Sequence, residues 1–325
     1  MPSPDAAAGR VVLIGTGGTI AGKAARLQDH VGYQAGALTA AELVAAVPAL
    51  AGAELECVSL AQIDSSDMDH ATWLALGLAL RQQLARPEVS GVVVTHGTDT
   101  LEETAFFLHH TVRAAKPVVL TAAMRPATAP SPDGPQNLLD SVAVAQTPGA
   151  QGVLAVLGGV VHAGAELRKL HGYRVDAFSS GDAGPVGVVE DGCLRRFRDW
   201  PAALPAHAAA LDTDWRGWPV VDIVTSHAGA RGATLDALVA AGARGIVIAG
   251  TGNGSVHAQL VAAAERALAR GVVVRRASRC IAGGVVGEPA DKLPTGGSAT
   301  PAQARVKLML ELLTSSPVPK VPAPS

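Results

Sequence analysis

Short runs of β-branched and aliphatic residues alternate along this chain with longer stretches rich in Ala and Leu. The apolar runs predict strands at 10–14, 54–60, 91–95, 117–121 and 152–157, and the stretches between them predict helices at 39–47, 71–84, 100–114 and 135–145. Strands that are apolar almost throughout, joined through helices, are what a parallel sheet covered on both faces requires. Thr39 is placed to cap the first helix, with Glu42 three residues on as its capping-box partner. The rhythm breaks over 197–219, a stretch with three Pro and three of the four Trp, which reads as an interdomain connection. It resumes on a smaller scale, with strands at 220–225, 245–249 and 272–278 and helices at 234–241, 256–270 and 301–313. The expected fold is α/β in two domains. A larger N-terminal domain at 1–200 holds a parallel or mixed sheet flanked by helices. A connection follows at 201–219, then a smaller α/β domain at 220–325 whose tail from about 315 is Pro-rich.

Composition narrows the function. With 48% hydrophobic and 17% charged residues the chain has enough apolar material for a sizeable core. The 26 Lys and Arg against 28 Asp and Glu leave no basic surplus for nucleic acid, and 3% aromatics leave little material for base stacking. No apolar run reaches the ~20 residues of a membrane span. The start of the chain has neither a cationic nor an apolar leader segment, so a cytoplasmic protein is expected, or a periplasmic one if a leader was trimmed. Cys57, Cys193 and Cys280 are too far apart for a zinc knuckle and read as buried small hydrophobes. None of the ten histidines falls in an HxxxH arrangement, so no metal is expected. His96 reads as a satisfied structural imidazole, His109 and His110 as charges suited to a helix C-terminus, and the pairs Arg195-Arg196 and Arg275-Arg276 as solvated faces.

Two loops follow predicted strands at the ends where parallel sheets bind ligands. The first is GTGGTIAG at 15–22; the second is THGTDTLEE at 95–103. The first is not a dinucleotide fingerprint, because Ile20 stands where the third glycine belongs, and no Walker-type lysine follows. Its glycines instead present the Thr19 hydroxyl at a strand tip, and a hydroxyl needs a nearby base to act as a nucleophile. The second loop offers Thr98, beside the Asp99 carboxylate, and leads into a helix whose N-terminus suits a developing oxyanion. The bland alternative makes Thr98 and Asp99 an N-cap and its neighbour. Two hydroxyls, a carboxylate and a helix N-terminus suggest acyl transfer on a small polar substrate.

These two motifs resemble the signature motifs of the bacterial-type L-asparaginases, and KPVVLTAAMRP at 116–126 and DGPQNLLDSV at 133–142 follow in register. The resemblance runs from about residue 11 to about residue 313 and includes the two-domain layout. It implies that Thr19 is the nucleophile that forms an acyl-enzyme, and that Tyr33 belongs to a lid and helps activate it. It implies that Ser65 binds the substrate α-carboxylate and Asp99 its α-ammonium. Thr98 is then the second threonine and Lys169 its hydrogen-bonded lysine, with a role left open between base and electrostatic anchor. The carbonyl of Ala123 accepts from the leaving amide nitrogen.

Three departures bear on substrate binding. Ser66 stands where close relatives often carry Gln or Glu for the α-ammonium. Ser255, in GTGNGS, matches a position whose side chain reaches a neighbouring subunit's site, and Glu288, in GGVVGEP, is the nearest match to that neighbour's acidic residue. The implied activity is hydrolysis of L-asparagine to L-aspartate and ammonia, with no cofactor, in a homotetramer built as a dimer of dimers. The alternatives are a dual enzyme that also takes L-glutamine, or a non-catalytic amino-acid sensor. A related amidotransferase subunit carries an extra N-terminal domain, for which a first strand at Arg10 leaves no room.

Overall fold

The computed structural model describes residues 9–24, 26, 32–203, 205–287 and 293–315. The chain divides into two compact units between Ala208 and Ala209. The first unit carries strands β1 (Arg10–Gly17), β2 (Lys23–Ala24), β3 (Tyr33–Gln34), β4 (Leu55–Ile63), β5 (Val89–Thr95), β6 (Val118–Thr121), β7 (Val153–Leu157), β8 (Val160–Ala163), β9 (Arg168–Lys169), β10 (Phe178–Ser179), β11 (Gly187–Glu190) and β12 (Cys193–Arg196). Its helices are α1 (Ala40–Ala45), α2 (His70–Leu84), α3 (Leu101–Thr111) and α4 (Gly134–Ala145).

Eight strands form one sheet in the order β12-β11-β8-β7-β6-β5-β1-β4. The five from β7 to β4 run parallel, and the remainder is antiparallel. In β1, Val11 and Leu13 join a core with Ala40 of α1 and Leu138 and Val142 of α4. Val12 and Ile14, on the opposite face, are equally buried, which is why the strand reads as an unbroken apolar run. Thr39 caps α1 through the expected reciprocal box with Glu42.

The sequence reading allowed for a mixed sheet but located none of the antiparallel strands β8, β11 and β12. Both of the tight hairpins had a signal: Gly158-Gly159 between β7 and β8, and Asp191-Gly192 between β11 and β12. All four residues have positive φ, as a two-residue turn with the right twist demands. Strand β1 pairs with β4 on one side and β5 on the other, so the strand order reverses at β1. That reversal opens a crevice at the carboxyl ends of β4, β1 and β5.

The second unit is a three-stranded parallel sheet, β13 (Val221–Thr225), β14 (Gly245–Gly250) and β15 (Val273–Ser278), with α5 (Ala233–Ala240), α6 (Ala258–Ala269) and α7 (Pro301–Ser315). Gly245 lets Leu308 of α7 sit directly on the central strand, since a Cβ there would lie 2.9 Å from the leucine Cδ2. Among the described residues no helix is long and apolar enough to cross a membrane.

Four expectations are corrected. The cysteines are not buried: Cys57 is half-buried, and Cys193 and Cys280 are exposed, because one starts an edge strand and the other lies in the loop after β15. His109 does lie in the last turn of α3, but it is half-buried, and burial pushes its pKa down, away from the positive charge expected there. Arg275 and Arg276 are half-buried, with Arg275 facing Glu311 of α7 across 3.9 Å, because β15 is packed by that helix. Neither Thr98 nor Asp99 caps α3; the cap position is Thr100, whose hydroxyl donates to the Ser65 carbonyl instead.

Candidate active site

Thr19 opens a single 3₁₀ turn, Thr19–Ala21, directly after β1. The two residues before it are glycine for a steric reason. Gly17 and Gly18 have φ of 109° and 80°. A Cβ on Gly17 would lie 2.4 Å from the Ile63 carbonyl oxygen, and one on Gly18 would lie 2.3 Å from the Gly97 Cα. The Thr19 loop and the Thr98 loop therefore touch backbone to backbone. The Gly18 amide also donates to the Ile63 carbonyl at 2.9 Å, tying the turn to the end of β4.

Thr19 is buried, and its Oγ1 lies 2.5 Å from the Tyr33 hydroxyl. Tyr33 sits on β3, paired with Ala24 of β2. Its ring lies over Gly22, where a Cβ would come within 2.7 Å of Cδ2. Burial raises the Tyr33 pKa; the hydrogen bond to Thr19 opposes this, and the charges of Asp64 and Asp99 add to the rise. The phenol is thus held neutral beside the Thr19 hydroxyl.

On the second loop, the Lys169 ammonium donates to Thr98 Oγ1 at 2.9 Å and to Asp99 Oδ1 at 2.6 Å. Lys169 has 17% of its side chain exposed and Asp99 58%, so the lysine faces inward while the carboxylate keeps an open side. The backbone of Lys169 is fixed by Glu102, whose Oε2 accepts its amide at 2.8 Å. Ser65 is buried between the same elements: its Oγ accepts the Asp99 amide at 3.1 Å and its carbonyl accepts from Thr100 at 2.7 Å.

His96 underlies this loop. It is fully buried, and burial pushes its pKa down to about 4. Its Nδ1 is 2.7 Å from the Gly97 carbonyl and its Nε2 is 3.0 Å from Thr104 Oγ1, which accepts the Trp73 indole N–H at 2.9 Å. A carbonyl only accepts, so Nδ1 carries the proton and Nε2 takes the threonine hydroxyl. The ring is a neutral structural imidazole, as expected.

Thr19, Tyr33, Ser65, Thr98, Asp99 and Lys169 are thus linked through two touching loops at the ends of β4, β1 and β5. Ala123 is buried just beyond β6 and packs with Ile20 and Ala21, the neighbours of Thr19. Ser66 is exposed, and its amide donates to Asp64 at 3.1 Å. Ser255 lies in the second unit, in a turn closed by reciprocal backbone bonds with Thr251. Glu288 lies outside the described residues. The sequence reading missed Asp64, Glu102, Asp133 and Asn137. The last two stand in the DGPQN segment, whose Asp before Gly-Pro carried the signal.

Comparison with known proteins places these residues in a family. The model described as "Asparaginase, N-terminal" matches residues 10–201, and "Glutaminase/Asparaginase C-terminal domain" matches residues 220–321. The chain is 35% identical over 240 residues to a glutaminase-asparaginase of Pseudomonas fluorescens biotype A, a match covering 71% of this chain and 65% of that protein. It is 40% identical over 184 residues to probable L-asparaginase 1 of Schizosaccharomyces pombe, covering 56% of this chain and 51% of that protein. These matched segments span between half and two thirds of the curated relatives. A probable cytoplasmic L-asparaginase from Campylobacter jejuni has a similar structure, with a TM-score of 0.87 at 38% identity, covering 94% of this chain and 95% of that one.

Proposed function

The chain belongs to the asparaginase family, and from that premise we propose that it is an L-asparagine amidohydrolase working through a Thr19 acyl-enzyme. In the first step Thr19 Oγ1 bonds to the side-chain carboxamide carbon. The C–N bond breaks, the hydroxyl proton ends on the leaving nitrogen, and ammonia departs. Water then hydrolyses the ester, releasing L-aspartate and restoring the hydroxyl.

The observation that carries this reading is the 2.5 Å contact between Thr19 Oγ1 and the Tyr33 hydroxyl, on a loop in backbone contact with the Thr98–Asp99 loop. A half-buried neutral phenol relays the threonine proton rather than holding a standing negative charge. Lys169, joined to Thr98 and Asp99, supplies a fixed positive charge beside the reacting groups. The open side of Asp99 accepts the substrate α-ammonium. Ser65 Oγ, having accepted the Asp99 amide, still has its O–H to give to the α-carboxylate. The Ala123 carbonyl accepts from the leaving nitrogen, and Ser66 is a weak contributor to ammonium binding because its side chain is short. Nucleophile, charge clamps and oxyanion donors are all protein groups, so the route needs no metal or organic cofactor.

The wider reading assigns catalysis to residues 1–200, with 220–325 as a C-terminal domain joined through 201–219. Ser255 reaches a neighbouring site in a homotetramer, a dimer of dimers. Leu170, Tyr173 and Val175, all close after Lys169, are exposed apolar side chains that assembly with another copy would cover. A cytoplasmic location accords with the Campylobacter jejuni neighbour's name. The Pseudomonas fluorescens relative, named glutaminase-asparaginase, favours L-glutamine as a second substrate. One methylene is worth only about 1–3 kcal/mol of discrimination in a pocket.

A coupled ammonia assay on wild type and Thr19→Ala, with asparagine and glutamine side by side, tests the reading. Turnover by wild type alone is the expected result. If both proteins bind asparagine and neither releases ammonia, the chain is a sensor and the enzyme reading is wrong.

A further inference from the structure

The carbonyl of Ala123 is useful to a leaving amide only if it points into the site, and the backbone around it reveals what aims it. Asp133 occupies the cap position of α4 but makes no side-chain cap bond to its own helix. Both of its oxygens turn back instead: Oδ2 accepts the Met124 amide at 2.9 Å and Oδ1 accepts the Arg125 amide at 3.0 Å. Asn137, one turn along α4, donates from Nδ2 to the Ala122 carbonyl at 2.9 Å and to Asp133 Oδ2 at 3.3 Å, while its Oδ1 accepts the Gly158 amide at 2.9 Å.

The Ala123 carbonyl and the Met124 N–H belong to one planar trans peptide unit, so they point in opposite directions. With the N–H held by Asp133, the carbonyl is driven away from Asp133. The next residue, Gly134, is wedged against Ile20, where a Cβ would lie 2.9 Å from Ile20 Cγ1 and 3.5 Å from the Ala123 Cβ. The clamp and the peptide it holds are therefore packed against the neighbour of Thr19.

Building on the amidohydrolase reading, we propose that Asp133, supported by Asn137, is a positioning residue that orients the Ala123 carbonyl to accept an N–H from the departing amide nitrogen. It acts only on expulsion of ammonia. An ester substrate shares the same acyl-enzyme but sheds an alcohol, which brings no N–H to that carbonyl. The clamp therefore matters for amides and not for esters, a split that a merely structural carboxylate does not produce.

The test compares kcat/KM, which reports acylation, for L-asparagine and L-aspartate β-methyl ester in wild type, Asp133→Ala and Asp133→Asn. Asp133→Ala is expected to lose about 10- to 100-fold on the amide, the scale of one or two lost transition-state hydrogen bonds. Asp133→Asn keeps one acceptor and loses less. Both variants should keep the ester rate within about twofold, because the threonine attack is untouched. Equal losses on amide and ester, or no loss on the amide, overturn this role for Asp133. Should the alanine variant fail to fold, the amide-to-ester ratio of Asp133→Asn decides alone. A wild-type protein that hydrolyses neither substrate overturns the amidohydrolase reading, and this proposal with it; an active wild type with equal losses overturns only the proposal.

Discussion

Thr19 and Thr98 carry the same side chain, and their surroundings give them different chemistry. Thr19 Oγ1 meets a phenol, which can give or take a proton, whereas Thr98 Oγ1 accepts from an ammonium. Thr19→Ala is expected to abolish ammonia release while asparagine still binds, because the proposed clamp of Ser65 and Asp99 is left intact; calorimetric titration of the variant checks this. Asp99→Ala should instead weaken binding severely, and an unchanged KM would remove Asp99 from the pocket. Tyr33 adds a pH argument. Its pKa is raised above the ordinary 10.0, so the protonated phenol persists to higher pH than in water. The kcat/KM profile should then show no step from Tyr33 below pH 10, and a step near neutrality that vanishes in Tyr33→Phe would contradict the neutral-phenol relay.

At the scale of elements, the site depends on two loops approaching more closely than side chains allow. Gly18 has a φ of 80° and no room for a Cβ against Gly97. Gly18→Ala is expected to cost about 3 kcal/mol through strain and overlap, and to remove activity by parting the loops. Gly52→Ala, where a Cβ meets nothing within 4 Å, is the matched control and should leave the urea midpoint and the rate unchanged. The same scale explains why three strands of the expected parallel or mixed sheet were not placed. Periodicity favoured helices between strands, and the short segments β8, β11 and β12 are too brief to register as apolar runs. Their turns were legible all the same: Gly158-Gly159 and Asp191-Gly192 are two-residue hairpin signals.

At the scale of the whole molecule, burial decides which groups stay uncharged. His96 and His162 are both buried, and burial pushes each pKa to about 4, with the Arg198 charge adding to the effect at His162. Both folded values lie below the ordinary 6.5, so between pH 6.5 and 4 the unfolded chain binds protons that the fold refuses. Stability is therefore fully present above 6.5 and is lost as pH falls, by up to ~1.4 kcal/mol per pH unit for each histidine. Urea midpoints at pH 7 and pH 5 should differ in that direction, and a double His96→Gln, His162→Gln variant should flatten the difference. By itself the sequence determined the alternation of strands and helices, the α1 capping box, the two glycine-framed loops and the family they mark. These rest on local preferences that neighbouring residues settle among themselves. The tertiary structure brought Tyr33 onto Thr19 and Lys169, across 71 positions, onto Thr98, contacts that the family resemblance had implied, and it alone decided that Asp64 acts on Tyr33 and that His109 is half-buried while Cys193 and Cys280 are exposed. Those outcomes depend on which strand ends adjoin and what covers them, and a hydrogen bond or a desolvated ring is created by partners that the sequence keeps far apart.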